Sequence, residues 1–221
     1  MVGFIREKKQ GRANKKMKEE LIKLWEKDKH PNWKVPPKVG YLLEIEEDIE
    51  VGNNVVFGNV VRLGKRVALC SDINIGSCVI IKDDCTLGSS ISIGEFVKMG
   101  NRCLICSGVK IGEKVKLFNN VRIDAWATIY DGVILRSNVQ IEAGAVIKKT
   151  PLQIQGTRDF CYYAGKDIVA IGCRRFSIRH WRKYYRKIGE DSGYTESEIM
   201  EYKGYIDLFS TVIERERRAD K

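Results

Sequence analysis

The sequence predicts a mainly β chain organised around a left-handed parallel β-helix of about six coils, and three observations predict it. An aliphatic, Met or Phe residue recurs at every sixth position from Val39 to Ile147, nineteen times without a slip. Gly follows that residue at 40, 52, 58, 64, 76, 88, 94, 100 and 112. Four positions after it comes a compact or β-branched residue such as Val55, Val79, Cys85, Cys103, Val121 or Val139. A period of two would give an ordinary strand and a period of 3.6 a helix. A period of six suits a chain that runs one short strand, turns a corner and starts again. Three sides close an 18-residue triangular coil, and successive coils stack as parallel strands about 4.8 Å apart. The large aliphatic fills the interior, the compact residue fits near the corner, and Gly relieves crowding at the turn.

This hexad pattern resembles the hexapeptide-repeat family of left-handed β-helices, over about half the chain. A stack of coils leaves an open strand edge at each end, and such edges need covering. Residues 1–38 are expected to supply one cover, a basic arm followed by a helix over Asn14–Lys29 with Met17, Leu21, Leu24 and Trp25 on one face. His30, Pro31 and the Pro36–Pro37 pair end it before the β-helix, residues 39–150. Residues 151–221 supply the other cover. Phe160–Ala164 and Ile168–Cys173 read as a hairpin around Gly165. A helix then runs from an N-cap at Ser177 to about Ile188, and a second opens on the capping box Thr195–Glu198 and runs to about Arg215.

The net charge of +10 is unevenly placed. Residues 1–38 carry 12 Lys/Arg against 5 Asp/Glu, residues 39–150 carry 13 against 13, and residues 151–221 carry 14 against 11. The repeat is therefore neutral and the basic excess sits at the ends, which favours anionic partners. No apolar stretch reaches the ~18–20 residues of a membrane span, so no membrane partner is expected. The basic N-terminus lacks the apolar core of a secretory signal, and the seven cysteines are odd in number. Reduced thiols and a cytoplasmic setting are the expectation.

The family resemblance implies an acyltransferase using acyl-coenzyme A, with a His as general base toward a sugar or sugar-nucleotide acceptor. A zinc-holding branch of the family uses three histidines. This chain has two, His30 and His180, neither in the coils. No metal site is therefore expected, and coenzyme A is the cofactor only on the acyltransferase reading. Leu104–Gly108 resembles a coil segment that in some sugar acetyltransferases leads directly into the catalytic His; here Val109 and Lys110 continue the hexad. His180 is the remaining candidate base, set against its reading as a helix-surface residue. Cys103 and Cys106 form a C-x-x-C without a second pair, and the register turns Cys103 inward. The acid pair Asp83–Asp84 lies at a corner, where solvated turn residues are expected.

Two groups of residues point to binding instead. On the late coils, Asn120, Arg122, Asp124, Trp126 and Tyr130, with Phe118, replace the corner Gly by large outward groups. Exposed aromatics there need cover from a second copy or a ligand. The family resemblance implies three prisms side by side with ligands in the clefts between them. In the tail, Arg174, Arg175, Arg179, Arg182, Lys183, Arg186 and Lys187 run with no acidic residue from 168 to 189. Ile178, Trp181, Tyr185 and Ile188 form the opposite, apolar stripe, expected to dock onto the prism or the hairpin. Like charges at i, i+4 repel, so the basic stripe suggests an anionic partner as much as a solvated face. The N-terminal cluster from Arg6 to Lys18 would touch nucleic acid only through phosphates, without interleaved aromatics. Residues 171–196 resemble a tail found in phage and bacterial repeat proteins, a likeness that assigns no activity.

The expectation is a homotrimeric, catalytically silent β-helix holding a phosphate-bearing small molecule, such as a nucleotide signal, between subunits. The alternatives are an acyltransferase and a structural or assembly protein.

Overall fold

The computed structural model describes residues 38–40 and 42–219. The expected arm and helix over residues 1–37 lie outside the described residues. Strands β1 (Lys38–Val39) to β19 (Val146–Ile147) are two or three residues long and recur every six residues. They form three parallel sheets of seven, six and six strands, the faces of a triangular prism. Each strand pairs with the one 18 residues on, so Val39 lies beside Phe57 and Phe57 beside Ile75. The hexad aliphatics from Phe57 onward are buried together with the compact residues Val55 to Ala145 in one continuous core. Those of the first coil, Ile45 and Val51, are only partly covered.

Two corner rules produce this regularity. A residue with φ near +60° occurs once per hexad from Asp48 to Gly144. Asn and Asp hold many of these left-handed positions, as expected from their tolerance of that conformation. Trp126 (φ 62°) and Phe96 (φ 58°) hold two of them against the preference of bulky residues. The hexad glycines are not the left-handed residues; they stand two positions earlier. A Cβ on Gly94 would lie 2.7 Å from the carbonyl carbon of Gly112 in the next coil. Gly there permits coil-to-coil approach, the crowding role expected from the sequence.

Corner side chains also tie one coil to the next. Asn119 Oδ1 accepts from Asn101 N at 2.9 Å, and Asp131 Oδ1 accepts from Glu113 N at 2.8 Å. Asp83, expected as a solvated turn residue, does the same for Lys65 N, and Asp84 pairs with Arg66 at 2.5 Å. The pair stands in a corner turn, as expected, with Asp84 exposed, and it also links coils: Asp83 takes up a corner backbone N–H that needs an acceptor.

After the prism come β20 (Gln153–Gln155), β21 (Phe160–Gly165), β22 (Ile168–Ile171) and β23 (Arg174–Ser177), one antiparallel sheet. The hairpin thus turns at Lys166–Asp167, both at positive φ, and continues into a strand holding Arg174 and Arg175 rather than a loop. The period of two divides this sheet between two cores. Tyr162, Ala164 and Ala170 belong to the prism core, while Cys161, Val169 and Ile171 face the helices.

Helix α1 (Ile178–Asp191) starts at Ser177, whose hydroxyl accepts from His180 N. Helix α2 (Glu196–Ala219) opens on the expected capping box: Thr195 Oγ1 accepts from Glu198 N, and Glu198 accepts from Thr195 N at 2.7 Å. The apolar stripe of α1 docks onto the sheet and α2, not the prism. Trp181 donates its indole N–H to Val169 O at 2.8 Å, and Ile178, Ile206, Phe209 and Ile213 pack around it.

The C-terminal module seals the last coil. Ile134 N donates to Thr150 Oγ1, Arg136 N to Gln153 Oε1, Gln140 N to Tyr162 Oη, and Glu142 N to Ala164 O, at 2.7–3.1 Å. Gln153 Nε2 returns a bond to Ile134 O at 3.0 Å. The open edge is thereby closed with side chains and one hairpin carbonyl.

Candidate functional site

The residues singled out in the sequence separate into three places. Arg122 and Asp124 meet at the end of one prism face, with Arg122 Nε 2.6 Å from Asp124 Oδ1. Gln140 Nε2 donates to Asp124 Oδ2 at 2.8 Å from the next coil. Arg175 reaches the same area from β23, donating to Gln140 O and pairing with Glu142 Oε1 at 2.6 Å. Burial pushes the Asp124 carboxyl up, but the bonds from Gln140 and Arg122 and the charges of Arg122 and Arg175 outweigh it. The acid is held below its ordinary range and stays a carboxylate, which suits a structural anchor better than a proton acceptor. Gln140 and Glu142 were not legible as part of this network, because their partners come from the preceding coil and from the sheet above.

Trp126 stands at the adjoining corner, 71% exposed, with its ring over Gly108. Gly108 is glycine for that reason: a Cβ there would sit 2.6 Å from Trp126 Cδ2. Asn120 spends its side chain on the corner ladder, donating to Asn138 Oδ1. Tyr130 lies at another corner, half-exposed, so it does not converge with Trp126.

Arg179 and Arg182 lie elsewhere, in a cleft of about 710 Å³ between the start of α1, the hairpin tip and the C-terminal half of α2. Lys183 and Arg217 complete its cations, against Asp167 and Glu214. Arg217 is ion-paired with Asp167, and Arg182 lies 3.8 Å from Glu214. Arg179 has no ion-pair partner among the described residues. Ser177 and Ser210 add hydroxyls, and the first turn of α1 contains no acidic residue. The positive end of the helix dipole and the cations therefore act in one direction, toward an anion. Of the remaining basic stripe, Arg186 is turned to Glu196 at 2.7 Å.

Arg174 lines a third, smaller cavity of about 290 Å³, with Trp181, Ile199 and Tyr202 as its apolar wall. Arg158 lies over the Tyr194 ring there and donates to Ser192 O and Gly193 O, so its fork is already occupied.

His180 lies between Phe176 and Tyr184, with ring centroids 4.5 and 4.7 Å away. No carboxylate among the described residues orients its ring, and a general base ordinarily has such an orienting partner. Cys103 is buried and Cys106 sits at a corner near Asp124, so the C-x-x-C does not converge. Among the described residues, no cluster of three His, Cys, Asp or Glu could hold a metal ion. No described helix is long and apolar enough to cross a membrane.

Two family models match the coils. One, described as bacterial transferase hexapeptide with six repeats, covers residues 114–149; the other, hexapeptide repeat of succinyl-transferase, covers residues 78–125. The prism is a hexapeptide-repeat β-helix. No curated protein matches the sequence. Among solved structures, a hexapeptide transferase family protein from Anaplasma phagocytophilum is 16% identical, with a TM-score of 0.41. That match covers 80% of this chain and 90% of that one. A Bacillus cereus gene product named as a candidate acetyltransferase is 14% identical, with a TM-score of 0.22, over 78% and 98% of the two chains. The two family matches place the hexapeptide repeat in the prism and end at residue 149, where the basic module begins.

Proposed function

We propose that this protein is a catalytically silent hexapeptide-repeat β-helix that binds a phosphate-bearing small molecule. The observation that carries the reading is the cleft at the start of α1, where Arg179, Arg182, Lys183 and Arg217 face one open volume. Four cations against two carboxylates leave that volume positive, and Arg forks suit phosphate oxygens. Catalysis is left out because the coils contain no histidine and His180 is stacked on Phe176, with the Tyr184 ring tilted against it. Three copies associate through the prism, with the exposed Trp126, Phe118 and Phe96 covered by neighbours. Sequestration of a nucleotide signal in the cytoplasm is the role such a protein would fill.

Isothermal titration with nucleotides, cyclic nucleotides and inorganic polyphosphates tests the binding. Saturable heat that weakens with salt is expected, and silence across the panel overturns the reading. Light scattering tests the trimer, and Trp126→Ser is expected to weaken it.

A second reading, acyl transfer from a coenzyme A thioester, is supported by the transferase descriptions of the matched family models. It requires release of free thiol from acetyl-coenzyme A in the presence of an acceptor, abolished by His180→Ala.

A further inference from the structure

The phosphate cleft does not end at Arg217. A second cavity of about 470 Å³ shares Asp167, Ile213 and Arg217 with it, so the Asp167–Arg217 ion pair lines both. The two have different chemistry. The first is lined by four cations, two carboxylates, two serines and two isoleucines, with no aromatic side chain. The second sets an apolar wall of Val146, Pro151, Tyr163 and Ile213 beside charges of its own, Lys148, Lys149, Arg215 and Glu216. Val146 is 54% exposed, and burial raises the Tyr163 hydroxyl above its usual pKa. An aromatic side chain beside a proline and two aliphatics forms a surface for a planar ring.

We infer that the bound molecule is a nucleotide, its base lying against Tyr163, Pro151 and Val146 and its phosphates reaching past Arg217 to Arg179 and Lys183. This rests on the phosphate-binding reading above and adds the ring and its position. Inorganic phosphate would use the cations alone, and a plain aromatic only the apolar wall of the second cavity. A nucleotide is the small-molecule class that offers both ends in one piece.

The ion pair at the junction has a role in this arrangement. Asp167 sits at the hairpin tip in the left-handed region, and its carbonyl accepts from Ile178 N at 2.8 Å. The turn is therefore held to the first residue of α1, and the carboxylate is presented to Arg217. The carboxylate occupies the guanidinium that a phosphate would need. The ligand must displace it, so Asp167 acts as a built-in competitor.

Titration of the full chain with ATP, CTP, inorganic tripolyphosphate and adenosine tests the inference. ATP or CTP is expected to bind at least tenfold tighter than tripolyphosphate, and adenosine weakest. Tyr163→Ala is expected to reduce nucleotide affinity to the level of tripolyphosphate while leaving tripolyphosphate binding unchanged. Arg179→Gln, at an exposed position, should weaken both ligands several-fold. Asp167→Asn, which keeps the turn and removes the competing charge, should tighten both. Thermal melts of each variant separate lost binding from lost folding. Equal affinity for nucleotide and tripolyphosphate, or no effect of Tyr163→Ala in a folded protein, overturns the nucleotide assignment and leaves the phosphate reading standing. Tripolyphosphate and nucleotides both failing to bind overturns the two together.

Discussion

In the prism a residue meets its counterpart 18 positions away, as Asn101 meets Asn119; in the C-terminal module Thr157 meets Glu201 and Arg217 meets Asp167, 44 and 50 positions apart. The first region repeats one local solution, and the second is a single arrangement in which each contact occurs once. Their surfaces differ in the same way. The prism presents ladders that use their polar groups on each other, while the module presents cavities with cations left over. A repeat therefore supplies stiffness and the irregular part supplies the site. The difference can be broken or sharpened by experiment, beginning inside the prism.

Ile105 is fully buried in the coil stack. Ile105→Asp would place a carboxylate among aliphatics, costing more than about 4 kcal/mol, and is expected to abolish soluble folded protein on expression. Among the described residues Phe209 is the largest fully buried side chain, held in the module's own core. Phe209→Ala should cost about 3–5 kcal/mol. Calorimetry should show that loss in a transition of the module while a prism transition persists. One merged transition would mean the two cores fold as a unit.

The seal between them is smaller. Gln153→Ala removes the acceptor for Arg136 N and the donor to Ile134 O, at about 1–3 kcal/mol for groups left unpaired. Hydrogen exchange at Ile134 and Arg136 should rise in that variant. Asp124→Asn loosens the link from Arg122 and Gln140 by about 1–2 kcal/mol at neutral pH. The folded-state pKa of Asp124 is depressed, so its contribution is present above the unfolded value and lost as pH falls through the folded one. The gap between the melting curves of wild type and variant should therefore begin to narrow below about pH 4 and close only below the folded pKa of Asp124. Thr195→Ala, which removes one cap of α2, should cost about 1 kcal/mol in chemical denaturation.

The two regions were also unequally legible. Nineteen hexad positions specify the coils because in a stacked solenoid the neighbour in space is fixed by the neighbour in sequence. The capping residues Ser177 and Thr195 were readable for the same reason, since a cap acts within three residues. The hairpin turn falls within residues 165–167, the span left between the two expected strands, and Gly165, Lys166 and Asp167 all have positive φ. The candidate site was only half readable. Arg179 and Arg182 were visible as a basic stripe, but Arg217, Asp167 and Tyr163 join them only through tertiary folding. Arg175 carried the same charge signal and points to Glu142 instead, a distinction set by the alternation of β23.

The 18-residue closure of each coil has a consequence for how such a chain can change in length. Adding or removing one whole coil would move the module by one strand spacing, about 4.8 Å, and return it to the same face. Adding one hexad would instead swing the module by a third of a turn, carrying Arg175 away from Glu142 and leaving Gln153 without its partners. Viable length variants should therefore come in multiples of eighteen, and the module's orientation records the count.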